Sequence, residues 1–191
     1  MTVLPSIAAV DLPPLVYAHR TEHDPALTAP EHFRPIRSEG WVKPLSGTGL
    51  WTAPVTAWAA DGLPADTDWL RYCREAWDPE EASYYTHFTA IAPNLDARVL
   101  RIDSHVDLIA IVDAHPASLN IPSLRERRYP DWVALAQTWD AVFLTDEGQW
   151  ATRRPRYGPD LYGWDVASVL WLRPAYSVGR TSLVPVAEVT P

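Results

Sequence analysis

Apolar residues run along the chain in short blocks, each closed by Pro, Gly or charge, and the spacing within a block predicts its type. Leu15-Val-Tyr-Ala-His19-Arg20-Thr21 reads as a first strand ending in polar side chains, after a lead-in over 1–14 that carries little pattern. Residues 22–40 are loop-like, and Trp41–Pro44 is a short extended piece. Gly47-Thr48-Gly49 predicts a tight turn into a short strand, Leu50–Ala53, stopped by Pro54. Asp66–Trp77 is the clearest helix: Asp66 or Thr67 suits the cap, and Trp69, Tyr72, Cys73 and Ala76 fall on one face. Arg98–Ile102 is a strand. Asp103 or Ser104 then caps a short helix through Ile111, unless the strand continues, and 113–129 reads as a polar loop. Pro130–Trp139 is a second helix with Trp132, Leu135, Ala136 and Trp139 as its stripe.

The best-patterned stretch is Asp140–Pro174. Asp140-Ala-Val-Phe-Leu-Thr145 and Val169-Leu-Trp-Leu172 are apolar runs of strand length, joined through a basic turn and Leu161-Tyr-Gly-Trp164-Asp165-Val-Ala-Ser168. They predict two adjacent buried strands, with Pro174 ending the second. Residues 176–191 read as a tail. The order is α+β, a single domain over 15–175 with short helices and long loops, without the regular alternation of a doubly wound sheet. Trp69 and Trp139 are expected to be largely buried.

Composition narrows the function classes. The 191 residues carry a net charge of −8, a poor start for a nucleic-acid binder, whose affinity comes largely from neutralising phosphates. The basic clusters Arg125–Arg128 and Arg153–Arg156 read as solvated loop charge. Ten Trp favour a thick core or an aromatic-lined groove. The single Cys73 excludes an internal disulfide and suits a reducing compartment, so a cytoplasmic location is expected. The six His are scattered without metal-ligand spacing, so no metal site is expected. No apolar run approaches the length of a membrane span, and no basic leader precedes the first apolar run. A phosphate loop, GxSxG and a convergent Ser-His-Asp set are absent.

Two segments taken together carry a family likeness. His19-Arg20-Thr21 and, some thirty residues later, Gly47-Thr-Gly49-Leu-Trp51-Thr52-Ala53 resemble two signatures of the ADP-ribosyltransferase fold. The matching class is the His–Tyr–Glu one, which includes poly-ADP-ribose polymerases and diphtheria-type toxins. Asp140–Thr145 resembles a later core strand of that fold, and Ser168–Pro174 the strand that begins with its catalytic Glu. The resemblance implies a split sheet with a central cleft and short flanking helices. It also implies NAD as the cofactor and a macromolecular target, with protein the leading class. His19 would bond a ribose hydroxyl, Arg20 would hold the diphosphate, Gly47 and Gly49 would let backbone approach the nicotinamide amide, and Trp51 and Thr52 would complete the NAD site.

The chain departs from that pattern at the acid. ADP-ribosyl transfer passes through an oxocarbenium-like state that needs negative potential beside the ribose. The position expected to hold Glu falls on Ala167 or Ser168, and the nearest acid is Asp165, which becomes the candidate catalytic residue. Arg20 where the family favours Gly is a second departure. Two expectations follow: an NAD-dependent transferase, or a non-enzymatic binding or assembly protein on the same scaffold. The first requires a carboxylate in the same cleft as Trp51, and His19 and Trp51 within about 10 Å of each other there.

Overall fold

A computed structural model describes residues 3–19, 28–38, 43–44, 47–77, 85–117 and 128–184. Arg20, Thr21, Trp41 and Val42 lie outside the described residues, as do parts of the expected loops and the last seven residues. The described strands are β1 (Ser6–Ala8), β2 (Leu15–His19), β3 (Leu50–Trp58), β4 (Pro64–Thr67), β5 (His87–Pro93), β6 (Arg98–Ile102), β7 (Ala141–Leu144), β8 (Ser168–Trp171) and β9 (Tyr176–Leu183). The helices are α1 (Asp68–Tyr72), continued by a π-helical turn over Cys73–Trp77, α2 (His105–Ala114), α3 (Trp132–Ala136) and α4 (Asp146–Arg153). The protein is thus α+β, with one large mixed sheet.

The sheet runs β1-β6-β7-β8-β3-β2-β5-β9, with β4 paired to β3 off this path. Only β6 and β7 are parallel among the described pairs, and α2 and α3 lie in the connection between them. The blocks Ala141–Leu144 and Val169–Leu172 are apolar at successive positions because both faces are covered, and β6 shares the pattern except at the partly buried Arg101. Leu100, Ile102, Val142, Leu144, Leu170 and Leu172 pack with Leu108, Ile111, Trp132 and Leu135 of α2 and α3. The alternate residues Val99, Ala141, Phe143, Val169 and Trp171 pack instead with Leu15, Ile91 and Tyr176 from the other half of the sheet. The two halves therefore face each other across a shared core, and β3 joins them.

Their junction is forked. β2 and β8 flank β3 on opposite edges. β8 pairs with Leu50, Trp51 and Thr52, while β2 pairs only at Leu15↔Pro54 and Val16↔Ala53. Beyond Val16 the two strands part, so Tyr17–His19 and Leu50–Thr52 face a gap. The strands form one hydrogen-bonded path, rather than two separate sheets, because β3 serves both halves.

Three departures from the expected elements have identifiable causes. β3 continues through Pro54 to Trp58. The Val55 N–H donates to Pro14 O on the β2 side, so the Pro54 nitrogen faces the other edge, between the end of the β8 ladder at Thr52 and the start of the β4 ladder at Val55. Residues 176–183 form the edge strand β9 instead of a tail, and Ser6–Ala8 adds a strand at the opposite end, pairing with β6. The period of β9 is hidden because the register shifts between Thr89↔Thr181 and Ile91↔Val178, leaving Gly179 and Arg180 as a bulge. The expected basic turn after Thr145 is preceded by α4, capped by the Thr145 hydroxyl, which accepts from Gly148 N at 3.2 Å. The start of the helix over Asp66–Trp77, by contrast, is one of the two expected: Thr67 is the cap, accepting from Leu70 N, and α1 begins at Asp68.

Trp69 and Trp139 are half-buried, and the burial expected of them falls on Leu70 and Trp132, both fully buried. The five-residue helices explain this. α1 and the π-helical turn after it press Leu70 and Cys73 into the core and leave Trp69 at its border, and the face of Trp139 is covered by the Arg98 guanidinium, 4.8 Å from its centroid.

Candidate functional site

The fork opens into a cavity of about 610 Å³, a size that suits a small organic ligand. One wall is Val16–His19 of β2; the opposite wall is Trp51–Ala53 of β3. Gly47 and Lys43 stand at its rim, Trp69 and Tyr85 close one side, and Gly163–Val166 with Ser168 close another. His19, Gly47, Trp51, Thr52 and Asp165 therefore meet in one place. Gly49 is not part of the lining, and Arg20 lies outside the described residues.

Each residue reaches the cavity for a local reason. His19 ends β2, is 3% exposed, and places Nε2 3.0 Å from Thr89 Oγ1 on β5. Thr89 Oγ1 in turn lies 2.9 Å from Thr181 Oγ1. The imidazole is stacked between Tyr17 and His87, at 5.8 and 5.3 Å between centroids. Such packing holds the ring in one orientation. Gly47 has φ +77°, a left-handed conformation that glycine adopts without strain. Trp51 meets Trp164 edge to face, with centroids 4.7 Å apart and an angle of 74°. Trp164 is itself pinned: its Nε1–H donates to the Ser168 hydroxyl, and its ring packs on Trp132. The Trp51 ring is thereby braced from the core side while still lining the cavity.

Thr52 is committed to the sheet. Its hydroxyl donates to Val169 O at 3.3 Å and accepts from Trp171 Nε1 at 3.1 Å. It shapes the wall without offering a spare donor. Gly49 serves the turn behind the site. With φ +67°, a Cβ there would lie 2.7 Å from both Trp171 O and Ile36 Cδ1.

Asp165 is the only carboxylate in the cavity lining among the described residues. It precedes β8, which begins at Ser168, so strand alternation does not govern its direction. Gln149 of α4 holds the segment, donating from Nε2 to Asp165 O at 3.1 Å. Arg153, at the end of the same helix, places Nη2 3.6 Å from Asp165 Oδ1. Burial pushes the nearby Tyr72 phenol above its usual pKa, and the Asp165 charge pushes it the same way. Ala167 and Ser168 are both buried, and the Ser168 hydroxyl donates to Val166 O at 3.2 Å while accepting from Trp164. The site thus has aromatic walls, one buried imidazole and one partly exposed carboxylate.

Sequence reading did not single out Trp69, Tyr85, Lys43 or Trp164 as lining residues. Trp164 had the clearest signal, since Gly163-Trp164-Asp165 places a large ring beside the candidate acid. Trp69 was hidden by its place on an apolar helix stripe. Arg153 and Gln149 act through α4, whose glycine and basic residues carry the signal of a turn. Among the described residues no group of His, Cys, Asp and Glu is arranged to hold a metal ion, and no helix is long and apolar enough to cross a membrane. No family model matches the chain, and no curated protein or solved structure matches it either.

Proposed function

We propose that the protein is an NAD-dependent ADP-ribosyltransferase that grips the nicotinamide–ribose end of NAD in the forked cavity and passes ADP-ribose to a macromolecular acceptor, in the first instance a protein. The observation that carries this reading is the convergence of His19, Gly47, Trp51 and Asp165, distant in sequence, on one cavity. Trp51 offers an aromatic surface to the nicotinamide ring. Gly47 allows close backbone approach to the carboxamide. His19, already oriented by Thr89, is the group for a ribose hydroxyl.

In the transfer, the bond between the ribose C1′ and the nicotinamide nitrogen breaks. Nicotinamide leaves with the bonding pair and becomes neutral, and C1′ carries oxocarbenium character. The acceptor nucleophile then forms its bond to C1′ and gives up a proton to solvent. Asp165 supplies negative potential beside C1′, and the cavity walls exclude the water that would screen it. Asp is one methylene shorter than Glu. The Gln149 bond to the Asp165 carbonyl holds the backbone of this segment beside the cavity.

A second reading, a non-enzymatic binding or assembly protein on the same scaffold, is favoured by two observations. The Asp165 carboxylate has a cationic partner in Arg153, and Ala167 and Ser168 stand where an acid is expected. Nicotinamide release from NAD separates the two. The wild-type protein, alone or with cell extract, is expected to release nicotinamide. Asp165→Asn, which keeps shape and removes charge, is expected to lower turnover by about 10²–10³ while the fold is retained. Wild-type protein that NAD stabilises against heat but that releases no nicotinamide belongs to the second reading. Full activity in Asp165→Asn would overturn the assignment of the acid.

A further inference from the structure

A shallow depression of about 330 Å³ adjoins the fork, lined by Arg153, Arg154, Pro155, Asp160 and Tyr162. The two spaces meet along one loop. Tyr162 lines the depression and the next residue, Gly163, lines the fork. Arg153 lines the depression while its guanidinium pairs with Asp165 of the fork at 3.6 Å. Across the same loop Lys43 donates from Nζ to Gly163 O at 3.0 Å. Three cations thus surround residues 162–165 in a chain whose net charge is −8. We propose that this junction is a diphosphate subsite, held by Arg153 and Arg154 with Lys43 at its edge. The assignment rests on the cofactor reading above and deepens it.

Arg154 and Lys43 are exposed, and two contacts hold the arginines in place. The Arg154 guanidinium lies over the Tyr162 ring, 5.2 Å from its centroid, which holds it against the depression. Arg153 is held by Asp165, so its planar donors are already oriented toward the fork. Planar guanidinium groups recognise phosphate oxygens bidentately. The one acid in the lining, Asp160, spends an oxygen on its own turn, accepting from Tyr162 N at 3.2 Å. A dinucleotide carries its diphosphate between two ribosides. With the nicotinamide riboside in the fork, the diphosphate falls at the fork's edge, where these cations stand. Its arrival competes for Arg153 and leaves the Asp165 carboxylate to face the ribose.

The test uses the full-length chain with ADP, pyrophosphate and nicotinamide riboside as probes, read by titration calorimetry. ADP and pyrophosphate are expected to bind the wild-type protein and to weaken about tenfold or more in Arg153→Ala and in Arg154→Ala. Arg154→Lys, which keeps charge and loses the planar fork, is expected to fall between. Nicotinamide riboside is expected to bind wild type and Arg154→Ala alike. NAD and ADP are expected to compete. Simultaneous binding of both would assign the anion to the acceptor and overturn the subsite. So would ADP affinity unchanged in both arginine-to-alanine variants, or no binding of ADP and pyrophosphate to the wild type. Arginine-dependent ADP binding without nicotinamide release would keep the subsite and remove the transferase reading. Nicotinamide release with arginine-independent ADP binding would do the reverse.

Discussion

His19 and Thr52 stand on facing walls of one cavity yet hold very different positions in it. The Thr52 hydroxyl is used on both sides by β8, so its contribution is to the shape of the wall. His19 is buried and oriented by Thr89, which suits a group that must keep one direction. Gly49 illustrates a third role. Its left-handed φ and the 2.7 Å approach that a Cβ would make to Trp171 O bind it to the turn, not to a ligand. Gly49→Ala is therefore expected to cost about 1–3 kcal/mol of stability. Urea denaturation measures it, and a loss below about 0.5 kcal/mol would show that the turn relaxes around the methyl group.

Among the elements, α4 decides how the acid is presented. Its N-terminus rides on the end of β6: a Cβ on Gly148 would lie 1.9 Å from Ile102 O, a backbone atom that cannot step aside. The same helix carries Gln149 and Arg153, the two side chains that hold Asp165. Gly148→Ala is expected to push the helix off β6, to destabilise the protein by about 1–3 kcal/mol or more, and to weaken nicotinamide release with it. Stability measured by denaturation together with NAD turnover checks both effects. Unchanged turnover in a folded variant would mean that α4 does not position the acid. α4 has a legible start in Thr145-Asp146-Glu147, a cap followed by two acids. Its glycine and the arginines that follow it masked that start, since both residue types read as turn.

At the scale of the whole molecule, the core between the two halves of the sheet contains titratable phenols. Tyr176 on β9 packs against Trp171 on β8, with centroids 5.0 Å apart. Burial, with Glu31 adding to it, pushes its pKa up to about 12, above the usual phenol range. Burial also raises the Tyr17 phenol. A folded-state pKa above the unfolded value means that the unfolded chain loses its proton first. The stability tied to the neutral phenol is then fully present below about pH 10 and is lost as pH rises toward about 12. Melting temperature is expected to fall across that window and to fall less in Tyr176→Phe. Equal slopes for the two proteins would place the alkaline sensitivity elsewhere.

The sequence alone determined whatever depends on local order. Runs such as Ala141–Leu144 and Val169–Leu172 announced buried strands because both their faces are covered. The Gly47–Gly49 turn was legible because two glycines just N-terminal to a strand leave few other backbone paths, and both adopt positive φ. Only the tertiary structure decided the rest. The bulge in β9 broke its period, and the edge geometry that admits Pro54 depends on where β8 stops and β4 begins. Burial of Trp132 over Trp69 and Trp139 depends on which short helix faces a covered sheet, and a stripe does not say what lies across from it. The candidate acid is the clearest case. Strand alternation read along the chain sets Asp165 apart from the expected position, but Asp165 lies before the strand, where its direction is set by Gln149 and Arg153 from another helix. Side-chain direction follows sequence spacing inside a regular element; in a loop it follows whichever neighbours the fold brings there.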